Sequence, residues 1–178
     1  MQVSFKDEKP TLYVVSTPIG NLSDMTFRAV DILKDVDLVL AEDTRNSGKL
    51  LKHFHIDTPM MSYHDYSDES KENMIMSLLS EGKKLALISD AGTPGISDPG
   101  YGIITKAIEK GYHVVAIPGA SALLAALVSS GLVIQPFTFI GFLSRKQSEK
   151  TETLKQYIKR SESAFPYLFA KIYCPYAF

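Results

Sequence analysis

Five short apolar, β-rich runs alternate with stretches of helical period, and this alternation restricts the chain to few architectures. The runs are Leu12–Ser16, Asp37–Ala41, Met60–Tyr63, Leu85–Ser89 and His113–Ile117. Continuous apolar runs of this length suit strands covered on both faces. Between them, Met74, Ile75, Leu78 and Leu79 recur at helical spacing and stop at Gly82. Ile103, Ile104, Ala107 and Ile108 stop at Gly111, and Leu123, Leu124, Leu127 and Val128 stop at Gly131. A glycine after each stripe reads as a helix end. Two earlier helices are expected near Met25–Leu33 and Ser47–Phe54. Strand then helix, repeated, predicts an α/β domain with a mostly parallel five-stranded sheet flanked by helices.

The pattern breaks after Gly131. "LVIQPFTFIGF" carries Pro136 and opens a new apolar run at Phe137, and a polar segment follows with Leu154, Tyr157 and Ile158 at helical spacing. We read residues 1–134 as one α/β domain and residues 135–178 as the start of a second, incomplete one, because so short a segment is small for a typical domain. The 178 residues, 45% of them hydrophobic, suffice for one substantial core. No eighteen-residue apolar run predicts a membrane span, and "MQVSFKDEKP" has no apolar core of a signal peptide. The lone Cys174 cannot form an internal disulfide or a multi-cysteine metal site, and the four histidines have no metal spacing, so no metal is expected and a cytoplasmic setting is. A net charge of −1 gives no overall signature of a nucleic-acid binder.

In an open parallel sheet, ligands bind beyond the carboxyl ends of the strands. There the sequence places "TPIGN", "EDTRN", "HDY", "LISDAGTPGISDPGYG" and "PGASA". The fourth loop combines Gly92, Gly95, Gly100 and Gly102 with Pro94 and Pro99, a composition for close backbone approach or positive φ on a stiffened path. Asp90, at a strand end, can accept hydrogen bonds from a ligand, whereas Asp98 reads as a helix N-cap. No lysine follows a glycine at phosphate-loop spacing and no GxGxxG occurs. Ser121 and Ala122 stand at a helix start, where their amides can donate to a ligand or Ser121 can simply cap.

"TPIGNLSD", "AEDTRNSGKLL", "LISDAGTPGISDPG" and "IPGASA", in this order, resemble the small-subunit ribosomal RNA (cytidine-2′-O)-methyltransferases, S-adenosylmethionine-dependent enzymes of the tetrapyrrole-methylase type. The resemblance covers about Leu12–Phe142. It implies S-adenosylmethionine as cofactor, small-subunit ribosomal RNA as partner, and a homodimer in the full-length family. By motif it implies Pro18, Asp90, Gly92, Thr93, Ser121 and Ala122 as cofactor contacts, with Phe142 near the adenine. Relatives continue past the position of Ser163 with a strand resembling "LIFYESPHR". This chain instead has "AFPYLFAKIYCPYAF", with six aromatics, two prolines and no clear period, which reads as a truncated or altered tail.

A ribose hydroxyl is a poor nucleophile at neutral pH, so methylation there calls for a proton acceptor. Glu42, Asp43, His64 and Asp65 stand at the correct sheet edge. Asp43, in the densest polar motif, is the first choice, against the alternative that it pairs with Arg45 or caps the next helix. Arg45, Asn46 and Lys49 are the candidate RNA contacts. Arg45 is a phosphate clamp or a surface ion pair, and Asn46 a base contact or an N-cap. Arg45, Lys49, Lys52, His53 and His55 form one basic cluster, and Arg145, Lys146 and Lys150 another. Both read equally as solvated helix faces. Two other readings stay open: methylation of a tetrapyrrole precursor, and a non-catalytic remnant.

Overall fold

A computed structural model describes residues 9–64, 69–132, 136–158 and 163–165. They fall in two compact units, residues 1–120 and 121–178. Gln135, where the sequence places its domain boundary, lies outside the described residues.

In the first unit, β1 (Thr11–Val15), β2 (Leu38–Ala41), β3 (Met60–Ser62), β4 (Lys84–Ile88) and β5 (His113–Ile117) form one sheet in the order β3-β2-β4-β1-β5. Every pairing is parallel. All five expected strands are present within a residue or so of their apolar runs. The helices are α1 (Phe27–Asp35), α2 (Thr44–His53), α3 (Glu69–Ser80) and α4 (Tyr101–Glu109).

Alternate strand residues point to opposite faces, and the core divides accordingly. Tyr13, Val15, Val39, Ala41, Ala86 and Ile88 pack with Ala29, Ile32 and Leu33 of α1 and Leu51 of α2. Leu12, Leu40, Leu85 and Leu87 pack with Ile75, Met76 and Leu79 of α3 and Ile103 and Ala107 of α4. The helix leaving β4 therefore covers one face, while the helices leaving its two neighbours, β1 and β2, cover the other. The chain direction reverses on both sides of β4, and the crevice that such a reversal opens lies at the carboxyl end of that strand.

Helix ends follow the glycines. Gly82 and Gly111 have φ of 88° and 78°, and the amides of Lys83 and Tyr112 donate to Leu78 O and Ala107 O, closing a Schellman turn after α3 and α4. Helix α2 ends in the same way with a histidine in the glycine's place: His55 has φ 54°, and the Ile56 amide donates to Leu51 O at 2.9 Å. Replacing His55 by glycine should therefore raise stability by up to about 1 kcal/mol, the relief of left-handed backbone outweighing the added freedom of the unfolded chain. A thermal melt should show a rise of a few degrees. A lower melting temperature would mean that the His55 side chain contributes packing that offsets its backbone strain.

Two expected helix starts are corrected. Helix α2 begins at Thr44, three residues before the expected Ser47, because Asp43 caps it: Asp43 Oδ1 accepts the Arg45 amide at 2.8 Å. Asp98 is not the cap of α4. Gly100 holds that position and makes no side-chain capping bond.

The second unit contains α5 (Ala122–Ser129), β6 (Phe137–Phe139), α6 (Gln147–Ile158) and β7 (Ser163–Phe165). Strands β6 and β7 are parallel, with Phe137 opposite Ser163 and Phe139 opposite Phe165. The sequence reading expected β6 and α6 but saw no period in the tail, so β7 is a correction. Three residues are too short a run for alternation to register. Among the described residues, no helix is long and apolar enough to cross a membrane.

Candidate functional site

The carboxyl edge of the first unit is fastened by its own loops. Thr17 and Gly92 form an antiparallel bridge: the Thr17 amide donates to Gly92 O at 2.9 Å, and the Gly92 amide to Thr17 O at 3.1 Å. Thr17 Oγ1 donates to Ser89 O at 3.1 Å, and the hydroxyls of Ser16 and Thr93 lie 2.7 Å apart. Ser16, Thr17 and Ser89 are buried, so these bonds satisfy groups that water does not reach. At Gly119 a β-carbon would stand 2.8 Å from Ser16 Cβ, which only glycine avoids. Backbone from the β1, β4 and β5 loops is thus drawn together at one place, with Pro18 buried beside it.

Asp90 stands exposed at the end of β4. Its Oδ2 accepts from Asn46 Nδ2 at 2.9 Å, and its amide donates to Glu42 Oε2 at 3.3 Å. The β2 and β4 ends are therefore joined through two hydrogen bonds. Asn46 is a third-position residue of α2 and not its cap, a correction to the capping alternative. Its bridge to Asp90, across 44 positions of sequence, has no local signature.

The two acids at the end of β2 differ sharply. Asp43 caps α2 and chelates Arg45, which donates from Nε at 3.1 Å and from Nη2 at 2.7 Å. The Arg45 side chain and amide hold the Asp43 carboxyl down at about 2. Asp43 is thus a carboxylate committed to local bonds, and both alternatives weighed for it hold at once. Glu42 behaves in the opposite way. Partial burial pushes its carboxyl up from the usual range, the Asp90 amide counteracts this, and Asp98 and Asp90 add to the rise. A positive charge at His64 works against them. Of the two, Glu42 is the better proton acceptor, because a higher proton affinity gives a stronger base.

His64, exposed, is the second residue after β3, and Asp65 lies outside the described residues. Arg45, Lys49, Lys52, His53 and His55 are all exposed on or just after α2. In the second unit, Ser121 caps α5 through its Oγ, which accepts the Leu124 amide at 3.4 Å. Ala122 is the first residue of that helix, and Phe142 is exposed. Lys146 is paired with Glu149 at 3.0 Å. Among the described residues, no group of three histidine, cysteine or acidic side chains could hold a metal ion. Ser16 and Thr17 carry no role legible in the sequence, since their partners are fixed only when β1 and β4 pair.

The stretch of chain that carries this edge is similar to known proteins. The Tetrapyrrole (Corrin/Porphyrin) Methylases match residues 11–169. "Ribosomal RNA small subunit methyltransferase I" of Bacillus subtilis (strain 168) is 50% identical over 168 residues, 93% of this chain and 58% of that protein. The protein of the same name from Streptococcus pyogenes serotype M18 is 55% identical over 152 residues, 84% of this chain and 53% of its own. The chain thus spans somewhat more than half the length of these curated relatives. Among solved structures, a uroporphyrin-III-C-methyltransferase from Thermus thermophilus superimposes with a TM-score of 0.56 at 18% identity, over 76% of this chain and 60% of that one, a likeness of fold. The match over residues 11–169 takes in every strand of the sheet and each loop at its carboxyl edge, and on that ground the chain belongs to the tetrapyrrole (corrin/porphyrin) methylase family.

Proposed function

We propose that the chain is the methyl-donor half of an S-adenosylmethionine-dependent methyltransferase that modifies the ribose 2′-hydroxyl of a cytidine in small-subunit ribosomal RNA. The observation that carries the reading is the Glu42–Asp90–Asn46 constellation at the end of β4. It combines an exposed carboxylate for ligand hydroxyl or amine groups with a neighbouring carboxyl of raised proton affinity. The names of the relatives support RNA as the substrate.

The residues present suit the cofactor. Asp90 Oδ2 is held by Asn46, while Oδ1 makes no hydrogen bond to a described residue and can accept one. Gly119, which lacks a side chain where one would strike Ser16, leaves backbone accessible at the same edge. In this reading Pro18, Asp90, Gly92 and Thr93 hold the cofactor, and Ser121, Ala122 and Phe142 keep the cofactor assignment their motifs carry. When bound, S-adenosylmethionine supplies a methyl group on a sulfonium sulfur. Glu42 accepts the ribose hydroxyl proton at its carboxylate. His64, two residues past the end of β3, stays in the proposal as a further candidate at the same sheet edge. Arg45, oriented by Asp43, meets a phosphate with its exposed guanidinium, and Asn46 and Lys49 lie on the same helix. The homodimer, the cytoplasmic setting and a domain boundary near Gln135 belong to the same proposal for the full-length protein.

Asp90→Ala should weaken S-adenosylhomocysteine binding by roughly ten- to a hundredfold, the loss of a charge-assisted hydrogen bond. Asp43→Ala should leave that affinity nearly unchanged. Calorimetric titration separates the two, and equal effects would remove Asp90 from the cofactor site.

A further inference from the structure

We infer that the cavity between the end of α2 and the start of β3 holds a guanosine nucleotide of the RNA strand, away from the reacting ribose. The inference rests on RNA as the substrate and adds a second place where the strand is gripped. The cavity has a volume of about 350 Å³, inside the range of roughly 300–1,000 Å³ usual for small-molecule sites. Its floor is apolar: Leu51 and Ile56 are 2% and 4% exposed, and Met60 packs against the same core. Gly48 leaves that floor open, since an added β-carbon would touch Met60 Cε at 3.5 Å. Lys52 and Asp57 line the cavity too, both exposed, and neither makes a hydrogen bond or ion pair with a described residue.

The polar lining selects among bases. A carboxylate only accepts hydrogen bonds. Guanine offers it two adjacent donors, N1–H and the N2 amino group, on its Watson–Crick edge. Adenine and cytosine set a donor beside an acceptor there, and uracil flanks its donor with two carbonyls. Asp57 therefore suits guanine, read on an unstacked base of single-stranded RNA. Lys52 supplies charge for a phosphate. His55 also lines the cavity, at φ 54°, and an imidazole is a stacking surface for a base. The same helix leads back to the catalytic edge. Arg45, Lys49 and Lys52 are exposed at spacings of four and three residues, so they share one face of α2. At 1.5 Å per residue, Lys52 lies roughly 10 Å along the axis from Arg45. A basic stripe of this kind tracks the phosphates of a strand. It runs from the start of α2, two residues past Glu42, to the cavity at its end.

The test labels methionine methyl groups with carbon-13 and titrates the free protein with guanosine 5′-monophosphate. Met60 is identified by the signal that Met60→Leu removes, and that signal should move saturably. Inosine 5′-monophosphate, which lacks the N2 amino group, and adenosine 5′-monophosphate should bind about tenfold more weakly or worse. Inorganic phosphate should leave the signal in place. Asp57→Ala should remove the preference for guanine, and Lys52→Ala should weaken guanosine 5′-monophosphate more than guanosine. Gly48→Leu should fill the cavity and abolish binding without a lower melting temperature, since leucine favours a helix more than glycine does. A guanosine-containing hexaribonucleotide should bind more tightly than the mononucleotide, by a margin that Lys49→Ala reduces. A Met60 signal that moves alike with every nucleotide and with phosphate, or a Gly48→Leu protein that keeps binding, would overturn the inference. A hexaribonucleotide that binds no more tightly than the mononucleotide would make this a site for free nucleotide and overturn it as well. Guanine-selective binding by a chain that transfers no methyl group to RNA would dismiss the methylation reading and leave the cavity site standing. Labelled RNA from a chain whose Met60 signal never moves would do the reverse, so the two failures are distinguishable.

Discussion

Glu42→Gln should lower the rate of methyl transfer by roughly 10²- to 10⁴-fold, the usual worth of a positioned general base. Glutamine keeps the shape and can still accept the Asp90 amide, so the loss isolates the carboxylate. Asp43→Asn should cost far less, since that carboxyl, held at about 2 by Arg45, has little affinity for a proton. Stability should move the other way. The Glu42 carboxyl is raised in the folded chain, so the native state binds the extra proton, and stability falls as pH rises from the ordinary value of 4.5 through the raised one. At pH 7 the ionised group is a burden that glutamine lifts. The variant should melt slightly higher than the parent at pH 7 and no higher below pH 4.5, where the carboxyl is protonated in both states. Activity of the parent should fall as pH drops through the raised midpoint. A Glu42→Gln protein that keeps its rate, or melts lower at pH 7, contradicts this account of the residue.

Gly100→Ala should be a strongly damaging small substitution in the first unit. Gly100 has φ 136°, and a β-carbon would stand 2.8 Å from Leu87 Cδ2 in the buried core and 3.4 Å from the Gly95 amide nitrogen. Backbone strain of about 1–3 kcal/mol adds to an overpacking cost of similar size. Together they take a large share of the stability of a domain of this size. Gly82→Ala supplies the comparison: φ there is 88°, and nothing lies within 4 Å of the added carbon, so only the conformational cost remains. Urea unfolding should give a midpoint for Gly100→Ala well below that of Gly82→Ala. Equal midpoints would mean that the β4–α4 loop yields easily.

The sheet was legible because a parallel strand covered on both faces is largely apolar, and the cores of the runs ending at Ser16, Ala41 and Ser89 are; the edge strand β5, with Ala116 exposed, is read from its β-branched valines. The ends of α3 and α4 were legible because Gly82 and Gly111 close turns that few other residues can. The end of α2 was harder to read, since His55 does the same work without the usual residue. Local capping was half readable: Asp98 and Asn46 both have the composition of caps, but Gly100 and Asp43 hold the positions. The candidate site followed a similar division. Sequence placed Glu42, Asp43, Arg45 and Asp90 on one edge, because strand ends of a parallel sheet share an edge. It put Asp43 ahead of Glu42 as proton acceptor, whereas the proposal made here puts Glu42 first. The order proposed here depends on the ring of bonds between Asp43 and Arg45 and on the partial burial of Glu42, which exists only after β2 and β4 pair. The tail hid β7 for a simpler reason, since three residues carry no period.

The most direct test supplies S-adenosylmethionine tritiated in its methyl group to the purified chain together with small ribosomal subunits, with a tetrapyrrole precursor in a parallel reaction. The account predicts label in the ribosomal RNA that survives alkaline hydrolysis as a dinucleotide beginning with cytidine, because a 2′-O-methyl group blocks cleavage at its own phosphodiester. Label confined to the tetrapyrrole, or label in RNA released as a methylated base in a single nucleotide, would contradict it.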